Sequence, residues 1–210
     1  MDERNHNSNR PAVTVRGAVL HPGHLDRAGQ VALVDDLRGV AAQAPFFRPV
    51  TPRGQKMSVR MSAAGRFGWV TDRRGYRYEP RHPETGAPWP PIPEAVLTIW
   101  REVTGLDRDP DCCLINYYAE GARMGLHQDR DEADFAFPVV SVSLGDDARF
   151  RIGGTRRKDS TESFWLRSGD VLVLGGAARL AYHGVDRIAP GTSTLLPQGG
   201  RINLTLRVVT

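Results

Sequence analysis

Apolar positions recur along this chain with two different periods. Over residues 24–42 they return at helical spacing, as Leu25, Ala28, Val31, Val34, Leu37, Val40 and Ala41, which predicts an amphipathic helix. Pro93 suits the first turn of a second helix carrying Val96, Leu97, Trp100 and Val103. Beyond Pro110 the pattern becomes short and strand-like, over 112–118, 138–144, 149–152, 163–167, 171–174, 180–183 and 201–209, with Gly, Asp and Pro turns between. An earlier strand is expected over 57–61, after a turn at Thr51-Pro52-Arg53-Gly54. The stretch from Phe67 to Trp89 mixes Trp69, Tyr76 and Tyr78 with arginines and ends among prolines, and it reads as irregular. So many short strands predict a mostly β fold with flanking helices, an α+β sandwich or jelly roll in place of a parallel sheet.

Residues 1–12 are polar and aperiodic and are expected to form a disordered tail, leaving 13–210 as a single domain. With 210 residues, 40% apolar and 25% charged, the chain has enough surface to bury for a core without staples. A metal bound here is therefore expected to serve catalysis. The two cysteines, Cys112 and Cys113, are sequence neighbours, which disfavours a disulfide and favours a reducing cytoplasm. No apolar run approaches the roughly 20 residues that span a bilayer, and the first residues lack a signal peptide's apolar segment. No membrane partner is expected, and the protein should be a monomer.

Net charge is only +4, but its distribution is uneven. Between Ala41 and His82 nine basic residues face Asp72 and Glu79 alone, a local excess of +7. That excess suits a solvated face and a nucleic-acid surface equally well.

The chain has no glycine-rich phosphate loop and no GxSxG turn. It does carry His127-Gln128-Asp129, two potential ligands on one face of an extended segment, and His183 after 53 intervening residues. Two imidazoles and one carboxylate form the facial triad of non-haem iron(II) oxygenases, although His-x-Asp alone is a weak motif. In the segment from Arg201 to Val208, alternation puts Arg201, Asn203, Thr205 and Arg207 on one face and Ile202, Leu204, Leu206 and Val208 on the other. The plain reading is a half-exposed strand with solvent arginines. The alternative is a clamp: guanidiniums six residues apart, about 20 Å along a strand, converge from opposite ends on a short dicarboxylate.

At this point the chain resembles the AlkB family of iron(II)- and 2-oxoglutarate-dependent oxidative demethylases. The resemblance is carried by Arg66-Phe67-Gly68-Trp69, Gly75-Tyr76-Arg77-Tyr78, Pro88-Trp89-Pro90 and Leu114-Ile115-Asn116-Tyr117-Tyr118. It continues through His127-Gln128-Asp129-Arg130-Asp131-Glu132, Ser141-Val142-Ser143-Leu144-Gly145, Gly169-Asp170-Val171, Tyr182-His183-Gly184 and the arginine strand. It implies a double-stranded β-helix jelly roll over about 111–210, with a nucleotide-recognition lid over about 45–90. Iron(II) would be held by His127, Asp129 and His183, with dioxygen as the other substrate. The 2-oxoglutarate would be held by Asn116, Tyr118, Arg201, Asn203, Thr205 and Arg207.

By the same resemblance Trp69 would stack on the target base against His127, Tyr76 and Asp131 would contact the nucleotide, and Arg157 would lie near its strand. The implied activity is repair of 1-methyladenine and 3-methylcytosine in single-stranded or opened double-stranded DNA, with release of formaldehyde and succinate. RNA, particularly tRNA, is the nearest alternative substrate. A small-molecule hydroxylase and a non-catalytic jelly-roll binding module are more distant readings. Gln55, Leu174 and Ala181 depart from the bacterial pattern, which has tyrosine, tryptophan and phenylalanine there. Gln55 bears on lid contacts, and the two smaller residues are expected to widen the cavity behind the metal.

Overall fold

The structure is a computed structural model that describes residues 10–210. Most of the tail expected over 1–12 lies outside the described residues. The described residues open with a hairpin of β1 (Val13–Val15) and β2 (Ala18–His21), which the sequence pattern did not reveal. α1 (Arg27–Gln43) follows, capped by the Asp26 carboxylate accepting from the Gly29 N–H at 2.8 Å. Its buried face is Gln30, Leu33, Val34, Leu37 and Val40, whereas Val31, expected inside, is half exposed. The strand expected over 57–61 is displaced to β3 (Arg60–Gly65).

The stretch read as irregular contains an antiparallel hairpin, β4 (Gly68–Asp72) and β5 (Gly75–Glu79), in which Trp69 pairs Tyr78 and Thr71 pairs Tyr76. α2 (Glu94–Thr104) starts after Pro93 and ends at Gly105, whose φ of 65° closes it in the left-handed conformation. The remaining elements are β6 (Cys112–Tyr118), β7 (Met124–His127), β8 (Val139–Gly145), β9 (Asp147–Ile152), β10 (Glu162–Leu166), β11 (Val171–Leu174), β12 (His183–Ala189) and β13 (Arg201–Arg207). The strand expected over 180–183 instead begins at His183, where that expectation ended, and runs to Ala189.

A seven-stranded antiparallel sheet, ordered β1-β2-β11-β8-β13-β6-β3, faces a four-stranded one, β10-β9-β12-β7. Two apolar layers hold this arrangement. Leu33, Leu37, Ile99 and Trp100 of the helices cover one face of the large sheet, against Val142, Leu204 and Leu206. Leu114, Val139 and Leu172 of its other face meet Phe150, Ile152, Leu166 and Val185 of the small sheet. This is the two-sheet jelly-roll architecture expected from the run of short strands.

β13 lies between β8 and β6 and is covered on both faces, which overturns the picture of a half-exposed strand. Its apolar residues meet the helices, so Arg201, Asn203, Thr205 and Arg207 turn towards the space between the sheets. The register sets Arg201 beside Tyr118 and Asn203 beside both Asn116 and Ser143. A polar stripe therefore crosses three neighbouring strands of an otherwise apolar interior. Among the described residues no helix is long and apolar enough to cross a membrane.

Candidate active site

The mouth of the jelly roll is built where β7 and β12 meet. His127 and His183 are direct cross-strand partners there, with ring centroids 4.5 Å apart. Gly184 permits the approach, since a Cβ on it would lie 2.6 Å from the Met124 carbonyl oxygen. Each imidazole donates its Nδ1–H to a backbone carbonyl, His127 to Gly125 and His183 to Ala181, both at 2.9 Å. That fixes the tautomer and leaves both Nε2 lone pairs free as ligands.

Asp129 follows β7, and its carboxylate sits between the rings, Oδ1 at 3.7 Å from His127 Nε2 and Oδ2 at 3.6 Å from His183 Nε2. All three donor atoms lie within 4.8 Å of one another. Two imidazoles and a carboxylate gathered on one side of a point fit a divalent iron with open positions opposite.

Electrostatics prepare this donor set. Burial works to raise the Asp129 pKa, but the Arg207 guanidinium, with the neighbouring imidazoles, overcomes it and brings it to about 2. Burial, with His127 beside it, lowers His183 to about 4, so its imidazole is neutral at physiological pH. The sign of the consequence for stability is fixed. Below about pH 6.5 the unfolded histidine takes up a proton that folded His183 refuses, so stability falls as pH drops from there to about 4. The loss expected for the metal-free chain is about 3 kcal/mol over that window. Denaturant melts at pH 7 and pH 4.5 check this, and the fall should shrink in His183→Ala; an equal fall in that variant refutes the assignment.

Behind the metal site lies a buried ionic network. Arg207 donates from Nη2 to Asp129 Oδ1 at 2.7 Å and from Nη1 to the Tyr78 hydroxyl at 2.7 Å and to Glu132 Oε1 at 3.2 Å. Arg179 donates to Glu132 Oε2 at 3.0 Å and to the Asp129 carbonyl oxygen at 2.6 Å. Burial works against the Arg207 charge, but Asp129, Tyr78 and Glu132 hold its pKa well above the ordinary value. Glu132 and Arg179 were given no role by sequence reasoning. Their partners are up to 75 residues away, and no local pattern connects them.

Arg201 is different. It is 1% exposed, donates to Ser143 Oγ at 2.6 Å and to the carbonyl oxygens of Asp146 and Leu166 at 3.3 Å, and has no carboxylate partner among the described residues. Burial lowers its pKa to about 10, and its Nε has no acceptor. The Nε of Arg207 is likewise buried without one.

A cavity of about 460 Å³ opens in front of these groups. His127, Asp129 and His183 line it together with Asn116, Tyr118, Asn203, Thr205 and Arg207, and Trp69, Tyr76, Asp131 and Arg157 line it too. Arg201 lies behind this lining, beside its cross-strand partner Tyr118, which does border the cavity. The two ends of β13 are occupied differently, Arg207 by carboxylates and Arg201 by hydroxyl and carbonyl groups.

Trp69 stacks on Tyr76 with centroids 5.4 Å apart and planes 16° apart, and donates its indole N–H to Asp131 Oδ2 at 3.0 Å. Arg157 donates to the Leu126 carbonyl oxygen at 3.1 Å. Leu174 lines the cavity and Ala181 does not, although its carbonyl oxygen holds His183. Gln55 is exposed, with its backbone N–H on Thr51 Oγ1.

A two-sheet jelly roll that gathers two histidines and an aspartate at its mouth defines a non-haem iron oxygenase. The chain belongs to the 2OG-Fe(II) oxygenase superfamily, whose family profile matches residues 17–207. It is 58% identical over 198 residues to an alpha-ketoglutarate-dependent dioxygenase AlkB homolog of Caulobacter vibrioides, covering 94% of this chain and 90% of that one. It is 45% identical over 179 residues to the alpha-ketoglutarate-dependent dioxygenase AlkB of Escherichia coli K12, covering 83% and 82%. Among solved structures, OsALKBH1 superimposes with a TM-score of 0.78 at 33% identity, covering 94% of this chain and 99% of that one. The protein is an enzyme of the AlkB branch that uses iron(II), 2-oxoglutarate and dioxygen.

Proposed function

We propose that this enzyme removes methyl groups from ring nitrogens of nucleobases, 1-methyladenine and 3-methylcytosine first among them, in single-stranded or locally opened DNA. The observation that carries the reading is the pairing at the cavity mouth of a metal triad with an indole whose N–H is held by a carboxylate, Trp69 on Asp131. An indole face is a sequence-tolerant platform for a base taken out of its stack. The carboxylate beside it suits a ring that methylation has made cationic, because Asp131 accepts from the exocyclic amino group and offsets the charge. Residues 45–90, which include the β4–β5 hairpin, would act as the lid over the nucleotide. Within it Arg74 and Arg77 are held by Asp72, so the arginines free to meet phosphates lie elsewhere along the segment.

Iron with 2-oxoglutarate and dioxygen supplies the oxidising power that hydroxylates the N-methyl group, after which formaldehyde leaves and succinate and carbon dioxide remain. The protein supplies orientation. His127, Asp129 and His183 would hold the metal, while Asn116, Tyr118, Asn203, Thr205 and Arg207 would hold the dicarboxylate with Arg201. Arg201 fits that part because a buried cation without a counter-charge is costly until an anion reaches it. Two neighbouring, buried and free cysteines suit a reducing cytoplasm, and the chain is taken to act as a monomer.

Comparison of Asp131→Asn with Asp131→Ala tests the reading. The amide retains an acceptor for Trp69 but loses the charge, so both variants should lose about 10- to 100-fold on the two cationic lesions. On neutral 1-methylguanine and 3-methylthymine the Asn variant should keep near-normal activity. Rates are compared in one DNA context at equal metal loading, with the matched RNA in parallel. A uniform loss across all four lesions rejects the charge-reading role, and faster turnover of the RNA reassigns the substrate.

A further inference from the structure

The four-stranded sheet has an outer face, turned away from the cavity, that the proposed chemistry leaves unused. Along β9 the buried Phe150 and Ile152 alternate with Arg149 and Arg151, which therefore point outwards. On β10 the outward residue opposite Arg149 is Trp165, 38% exposed, and on β12 the residue opposite Arg149 is Arg187. One row across three strands thus reads tryptophan, arginine, arginine. The Arg187 guanidinium carbon lies 5.4 Å from the centre of the indole.

We infer that this row is a second contact for the nucleic-acid strand, in which a base away from the lesion stacks on Trp165 while Arg149 and Arg187 meet phosphates. It rests on the nucleic-acid substrate proposed above and adds to it where the rest of the strand goes. The charges support it. Asp186 is taken by Arg151 at 2.9 Å and Asp147 lies within 4.0 Å of Arg167, so Arg149 and Arg187 are left without a carboxylate partner among the described residues. Arg151 also keeps a buried Nε–H with no acceptor.

Continuity supports it too. Two residues past Arg151 the chain enters a loop that carries Arg156, Arg157 and Lys158, and Arg157 lines the cavity mouth. A strand leaving the mouth over that loop meets Arg151, and the tryptophan row lies about 10 Å beyond the β9 end at strand rise. An isolated indole among cations offers an apolar peptide no pocket. A second copy of the chain would bring the same positive charge to it. A polyanion with flat aromatic groups answers both features.

The experiment compares Trp165→Ala and the double variant Arg149→Ser, Arg187→Ser with the unaltered enzyme on two substrates. One is a methylated DNA trinucleotide, too short to leave the mouth. The other is a single strand of about 20 nucleotides with the lesion at its centre, long enough to occupy a site several nucleotides away. On the trinucleotide kcat and KM should be unchanged in all three proteins. On the long strand Trp165→Ala should bind about tenfold more weakly, and the double variant should lower the slope of log affinity against log salt by about 1.4. Unchanged affinity and salt slope on the long strand would overturn the inference alone and leave this face to a protein partner or to solvent. Equal losses on both substrates would also overturn it, as damage to the active site. If the unaltered enzyme turns over neither substrate, the proposed function falls with it.

Discussion

An enzyme carrying His183→Ala is expected to keep its jelly roll and lose turnover altogether. His183 is held by one backbone carbonyl and packs its ring on Phe150, with centroids 5.7 Å apart. Removing it costs the fold an amount of the order of a single buried contact, about 1 to 3 kcal/mol. The effect on the metal is far larger. Loss of a partner that merely orients a ligand typically lowers metal affinity by about 10- to 100-fold, and His183 is itself one of three ligands. Iron binding should therefore fall by more than about 100-fold while the circular dichroism spectrum stays that of the parent. Anaerobic iron titration and succinate release check the two halves separately. Undiminished iron affinity in the folded variant would show that the cluster is not the metal site.

That site was largely legible because its chemistry is carried by residue types at short spacing. His127 and Asp129 are two apart, and the strand carrying Arg201 to Arg207 alternates without interruption. The strands of the large sheet were legible for a related reason. β6, β8 and β13 are buried on both faces, so they read as long runs of strand-forming residues.

What escaped depended on tertiary context. β7 is four residues long and contains Gly125, and it becomes a strand only because β12 runs beside it. The β4–β5 hairpin hides its alternation under arginines, of which Arg77 is tied to Asp72 and Glu79. At β13 alternation alone left both a solvent face and an inward clamp open, and only the fold decides between them. Polar residues there face the interior and find partners within it, as Asn203 does in Ser141 at 2.7 Å. Alternation reports two unlike faces, and it does not say which one meets water. Glu132 lay within a quoted motif, yet its partners Arg179 and Arg207 are brought to it only by the fold.

The two arginines of β13 should respond to substitution in opposite ways. Arg207 offsets two buried carboxylates, Asp129 and Glu132, at 2.7 and 3.2 Å. With Arg207→Met, Glu132 keeps Arg179 and the Tyr78 hydroxyl, and Asp129 loses its one guanidinium side-chain partner. Breaking a buried pair by removing one member costs about 3 to 5 kcal/mol, so the metal-free variant should be markedly less stable. Arg201 has no carboxylate to release. With Arg201→Met a buried, unpaired cation disappears, and the long 3.3 Å contacts to two carbonyl oxygens are the weaker part of what is lost. Its metal-free stability should change by less than about 2 kcal/mol, in either direction.

Towards 2-oxoglutarate the two variants should behave alike. Both variants should lose affinity by the equivalent of about 2 to 5 kcal/mol, because each removes a shielded cation from a dianionic ligand. Denaturant melts of the metal-free proteins and calorimetric titration with 2-oxoglutarate in the presence of a redox-inert divalent metal separate the two effects. Arg201→Met is the decisive variant, since its fold is expected to survive nearly intact while its cosubstrate does not bind. If it melts like Arg207→Met, the guanidinium serves the sheet; if it binds 2-oxoglutarate normally, the dicarboxylate ends elsewhere in the cavity.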